Sequence, residues 1–183
     1  MQQLNQDKYT QEILNLIAQN KEKTAFNGLV KNYNQQLYWH IRRIVIKHDD
    51  ANDVLQNTYI KIWKSLKKFK GKSKIYTWLY RIATNESLTF VKKQKHTISI
   101  EDVELKETQT SNQSVLMDSF EIQHKLELAI ATLPPKQRAI FNLKYYEELK
   151  YDEISQITST SVGALKASYH IAVKKIETFL KIN

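Results

Sequence analysis

The residues of this chain that could do chemistry fall into two basic groups. In the last part of the chain, Lys166, His170 and Lys174 recur every four positions. Helical spacing puts them on one edge. Gly163, Ala164 and Ala167 lie off the apolar stripe formed by Val162, Leu165, Tyr169, Val173, Ile176 and Leu180. Small residues there let a backbone come close to a surface. Thr160 or Ser161 can cap the helix and leave its positive dipole end near a phosphate. A helix that enters a DNA major groove needs small residues, a few polar readers and flanking positive charge. The second group lies between Lys61 and Lys95, which holds eleven basic residues and one acid, Glu86. Lys67, Lys68, Lys70 and Lys72 crowd its centre. Phe69, Tyr76, Trp78, Tyr80 and Phe90 are interleaved with them. Lysines can track a phosphate backbone while rings stack on unpaired bases, so this stretch suits opened DNA better than closed duplex. For Trp78 a place in the core stands beside that reading.

Other chemistries find little support. His48, Asp49, Asp50 and Asp53 could form a metal site, but helix capping accounts for the acids better. No metal site and no cofactor is expected. His40, His96 and His124 have no evident partners in the sequence. There is no cysteine, which excludes disulfides and thiolate ligands. No phosphate-binding glycine loop, zinc-protease helix or serine-nucleophile elbow occurs, so the chain is not expected to be an enzyme.

These groups need elements to hold them. The chain has 183 residues, a net charge of +9 and 42% hydrophobic residues. That suits one ordinary domain or two small ones. No apolar run approaches a membrane span, so membrane insertion and a secretory leader are not expected. Gly occurs three times and Pro twice, against roughly 13 and 9 at average usage. The chain therefore reads as all-α and, being basic and cysteine-free, as cytoplasmic. Residues 1–96 form one helical domain. Within it Asp50 can cap a helix, with Asp53 in the first turn, and Leu55, Tyr59, Ile62 and Leu66 make an apolar face. Residues 97–121 are acidic and polar and read as a linker. Ile98, Ile100, Val103 and Leu105 could instead make a short strand. Residues 122–183 form a second domain. Pro134-Pro135 separates two helices. A short helix near Asp152–Ile157, a polar turn and a long last helix make a helix-turn-helix.

At these residues the chain resembles the extracytoplasmic-function (ECF) sigma factors of bacterial RNA polymerase. The segments are Asp-Ala-Asn-Asp-Val-Leu-Gln-Asn-Thr-Tyr-Ile-Lys-Ile-Trp (50–63), Phe-Lys-Gly-Lys-Ser (69–73) and Thr-Trp-Leu-Tyr-Arg-Ile-Ala-Thr-Asn (77–85). In the second domain they are Leu-Pro-Pro-Lys-Gln-Arg (133–138), Tyr-Asp-Glu-Ile (151–154) and Ser-Val-Gly-Ala-Leu-Lys (161–166). They are collinear and correctly separated. The resemblance implies two helical domains carried by core RNA polymerase, which bind promoter DNA and start transcription. It implies that Asp50, Asp53, Gln56, Asn57 and Lys61 face the polymerase clamp. Asn52 and Asn57 stand where the family usually has glutamates. Lys67, Lys68, Phe69, Lys70, Lys72, Ser73, Trp78, Arg81 and Asn85 would engage the melted −10 element and capture a flipped base. Thr160, Ser161, Gly163, Ala164, Lys166, Ala167, His170 and Lys174 would read the −35 duplex. Lys166 takes the place of a frequent arginine, without its planar fork. The linker would run through the polymerase near the template channel. An anti-sigma factor is an expected regulator. Two other readings stay open: a stand-alone helix-turn-helix regulator, which would bind duplex unaided, and a nucleic-acid-processing enzyme.

Overall fold

The computed structural model of the chain describes residues 2–94 and 114–182. Among the described residues all regular structure is helical. The N-terminal unit comprises α1 (Gln2–Ala18), α2 (Glu22–Val45), α3 (His48–Leu66) and α4 (Ile75–Lys93). The C-terminal unit comprises α5 (Ser114–Ala131), α6 (Pro135–Tyr145), α7 (Tyr151–Thr158) and α8 (Val162–Ile182). Helix α5 begins inside the stretch expected to be linker. The expected strand at 98–105 lies outside the described residues.

Helix α3 starts earlier than its acids implied. Lys47, in extended conformation, occupies the N-cap, with no side-chain cap bond. Asp50 is therefore not the cap. It sits in the first turn with Asp49, where both favour the positive end of the helix dipole, and Asp53 lies beyond that turn. The reason is the sharp corner just before it. Buried Ile46 adopts φ 76° and donates its N–H to Arg42 O at 2.8 Å. A β-branched residue rarely occupies that region, and the corner lets α3 fold straight back on α2.

Helix α1 supports the lysine-rich loop from beneath. Thr10 Oγ1 accepts the N–H of Ile75 at 3.1 Å, which satisfies a free donor at the start of α4. Gly71 has φ +66°, and a Cβ there would lie 2.6 Å from Leu14 Cδ1. A side chain would collide with α1 as well as strain the backbone. Behind these contacts Ile13, Leu29, Leu37, Ile41, Ile62, Leu66 and Leu79 are fully buried.

In the C-terminal unit Pro135 opens α6, as the Pro-Pro pair predicts. Arg138 is buried and its Nη1 donates to Ala131 O at 2.8 Å, closing the end of α5. Glu153 accepts the Lys150 N–H at 3.0 Å and supports the start of α7. A small cluster of Ala129, Ile130, Leu133, Phe141, Ala172 and Ile176 joins α5, α6 and α8. Leu180, expected on the apolar stripe, is exposed, whereas Ala172 is fully buried in its place.

Besides this small cluster, the C-terminal unit shares a larger core with the N-terminal one. Ile140, Leu143, Ile154, Ile157 and Leu165 belong to the same buried cluster as Ile75, Leu79 and Ala83. Helix α4 packs on α7, and α2 on α6. Each half is too small to bury all its apolar surface alone, so the halves cover one another.

Candidate nucleic-acid interface

The third helix offers one polar stripe to solvent. Asp53, Gln56 and Asn57 are exposed on it. Asp50 is half-buried and accepts Gln94 Nε2 at 3.1 Å. Lys61 is exposed but ion-paired with Glu86. Sequence reasoning missed two neighbours. Ile60 is 50% and Trp63 47% exposed, and Trp63 packs edge-on against Phe26 at 5.3 Å. They add an apolar strip to the polar one. Spacing hides Trp63, which lies beside the expected face of Leu55, Tyr59, Ile62 and Leu66, whereas the buried register runs through Val54, Thr58, Ile62 and Leu66. Asn57 also lines a shallow groove between α3 and α4, with Glu86, Phe90 and Lys93.

The basic loop is open at its centre. Lys68, Lys70 and Lys72 are exposed. Lys67 lies 3.5 Å from Glu22, and Lys74 lies 3.5 Å from Asp7. Such surface pairs are weak and leave the cations free to rearrange. Ser73 is half-buried, and Arg81 and Asn85 are exposed one turn apart on α4. The rings behave otherwise. Phe69 is 7% and Trp78 8% exposed, with centroids 5.1 Å apart. Tyr76 and Tyr80 are buried as well. None of these four rings stands free to stack on a base in this state, because each fills the seam that α4 makes with its neighbours.

The helix-turn-helix is formed. Ser159, with φ 53°, closes α7 in the left-handed conformation. Ser161 takes the cap position of α8, its Oγ facing Ala164 N–H at 3.4 Å. Thr160 does not cap: its hydroxyl donates back to Thr158 O at 3.2 Å. Leu165 is fully buried beneath the helix. Gly163, Ala164, Lys166, Ala167, His170 and Lys174 all face solvent, and nothing lies within 4 Å of a Cβ built on Gly163. Lys144, which sequence reasoning passed over, flanks the same edge. Its Nζ lies 5.2 Å from the Tyr151 ring, with Lys166 Nζ on that ring at 5.9 Å.

The histidines resolve in part. His40 is fully buried, and its Nε2 meets Thr84 Oγ1 at 2.9 Å. Burial, with Arg43 nearby, lowers its pKa to about 3, so it is neutral. The partner missing from the sequence reading was 44 positions away. His48 is engaged at both ring nitrogens, by Tyr38 Oη at 2.6 Å and Asn52 Nδ2 at 3.3 Å. Among the described residues no three acids and histidines converge as metal ligands would. His96 lies outside the described residues. No described helix is long and apolar enough to cross a membrane.

Comparisons with known proteins agree with this layout. Residues 29–97 match the family described as Sigma-70 region 2, and residues 123–176 match Sigma-70, region 4. An ECF RNA polymerase sigma-E factor of Haemophilus influenzae is 31% identical, over 87% of this chain and 89% of that protein. An RNA polymerase sigma-H factor of Pseudomonas aeruginosa is 30% identical, over 90% of each. Among solved structures, CnrH in complex with the cytosolic domain of CnrY superimposes with TM-score 0.68, over 96% of this chain and 99% of that one, at 18% identity. The sigma factor RpoE bound to the anti-sigma factor NepR, from Bartonella quintana, gives 0.67 over 86% of this chain and 98% of that one, at 20% identity. With both regions matched in order along one chain, at separations that fit the helices described above, the chain belongs to the ECF group of the sigma-70 family of RNA polymerase sigma factors.

Proposed function

We propose that the chain binds core RNA polymerase, directs it to promoters and helps open the DNA, dividing this work among three surfaces. The α3 stripe of Asp53, Gln56, Asn57 and Lys61, with Asp50 at its foot, docks on the polymerase. The loop lysines Lys67, Lys68, Lys70 and Lys72, with Ser73, Arg81 and Asn85, hold the separated −10 strand. Phe69 and Trp78 shape the pocket for an extracted base. Extraction costs a few kcal/mol, which pocket and phosphate contacts can offset. The edge of α8, from Thr160 and Ser161 to Lys174, reads the −35 duplex. The segment at 97–121 passes through the polymerase, and its acids keep it off promoter DNA. The chain works in the cytoplasm as an initiation factor with no catalytic group of its own, and an anti-sigma factor restrains it.

One observation carries the reading: a capped, half-buried α8 turns small and basic residues outward directly after a short α7. A duplex groove is the partner that fits such a face. Pulldown with core polymerase, followed by transcription from a cognate promoter, tests the whole. Binding to core and promoter-dependent initiation are expected; failure to bind core removes the reading.

A further inference from the structure

The outward face of α8 is divided lengthwise. Lys166, His170 and Lys174 run along one side of it, all exposed. Ile171 lies on the other side, with Ala167 one turn before it. It is a large apolar side chain left 46% exposed, while Leu165, Ala172 and Ile176 bury the inner side of the helix. Two lysines close to Ile171 are engaged elsewhere. Lys166 Nζ lies 5.9 Å from the Tyr151 ring of α7. Lys175 donates to Gln137 Oε1 of α6 at 3.2 Å.

Each base pair shows a different set of groups in the major groove. Arg or Lys meets guanine, Asn or Gln meets adenine, and Asp or Glu accepts from cytosine. Thymine alone offers a methyl group, which apolar side chains meet. From Gly163 to Lys174 there is no Arg, Asn, Gln, Asp or Glu. Lys166 can meet a guanine, but the side that carries Ile171 has none of these polar readers. Its side chains are of the kind that suits thymine. The lysines alongside attract the phosphates of any duplex, which brings a groove to this face.

Resting on the proposed reading of the −35 duplex by α8, we infer that Ile171, with Ala167 beside it, recognises the methyl group of a thymine in that element and sets the base preference at that position. Closing an exposed isoleucine on a methyl group removes apolar surface from water on both partners. One buried methyl is worth about fourfold in a binding constant. Uracil offers the same groove hydrogen bonds as thymine without the methyl, so exchanging the two isolates this contact.

The test uses the full chain on core polymerase and random-sequence duplexes long enough to span both promoter elements. One pool is amplified with thymine nucleotides and the other with uracil nucleotides. Duplexes retained by the complex are sequenced. One position of the enriched upstream block should favour thymine about fourfold more than the same position favours uracil. Ile171→Ala should remove that difference, with helical circular dichroism and core binding unchanged. If that variant loses its fold, Ile171→Val replaces it, and the difference should fall to about twofold. Equal preference for thymine and uracil throughout the block would overturn the inference and leave the −35 reading standing. So would a difference that the folded variant does not reduce. If the complex enriches no upstream block at all, the −35 reading itself fails, and this inference with it.

Discussion

The rings of Phe69 and Trp78 lie 5.1 Å apart, tilted by 44°, and close over each other inside the N-terminal unit. Both belong to the main buried cluster. A stacking platform for bases would show its faces to solvent, and these rings do not. Their burial leaves the exposed lysines Lys68, Lys70 and Lys72 as the open face of the candidate −10 site.

Trp78→Ala should therefore be costly to stability. Deleting a buried aromatic of this size costs about 3–5 kcal/mol. Urea unfolding of the free chain measures it. A loss under about 1 kcal/mol would mean that the ring contributes little to the core.

His40 makes stability depend on pH. Its pKa falls to about 3 in the fold, against about 6.5 when unfolded. The unfolded chain thus takes up a proton that the folded chain refuses. Stability from this group is full above pH 6.5 and is lost as pH falls towards 3. Between pH 6.5 and 5 the loss should be about 2 kcal/mol. His40→Gln should flatten that slope while lowering stability at pH 7.5. An unchanged slope would mean that His40 is protonated in the fold.

At the other end, Lys166→Ala should weaken −35 duplex binding about tenfold, towards the low end of what one specific side-chain contact is worth. Core polymerase binding should stay within twofold. Titration of each partner separately measures both. Equal losses would place Lys166 outside the duplex contact.

Replacing Lys68, Lys70 and Lys72 together by Ala should make binding to a single-stranded −10 oligonucleotide less sensitive to salt. Each phosphate contact to a single strand contributes about 0.7 to the slope of log K against log salt, so the three should lower it by about 2. Lys67 is left in place because the nearby Glu22 carboxylate partly offsets its charge, which would blur its share of the slope. An unaltered slope would remove these three from the DNA contact.

What could be read from the sequence was local. The Pro-Pro boundary and the short α7 depend on neighbours a few positions apart and stand where the spacing put them, and of the two caps it left open, Thr160 and Ser161, Ser161 is the one that faces a helix N–H. The start of α3 was misplaced because the corner residue, Ile46, carries no sign of its left-handed backbone. Long-range pairs left no trace. His40 with Thr84 and Tyr80 with Glu147 are 44 and 67 positions apart. Exposed and buried tyrosines look alike in a sequence, so a run rich in rings and lysines reads as a nucleic-acid surface even where the rings face inward. The shared core was hidden for the same reason: an apolar stripe shows that a helix buries a face, not which helix covers it.

The most direct test maps transcript 5′ ends made by core polymerase on genomic DNA of the source organism, with and without this chain. With the chain, new starts should appear, all preceded by one shared pair of sequence blocks near −35 and −10. Unchanged starts, with the chain demonstrably bound to core, would contradict its role as a promoter-selecting factor.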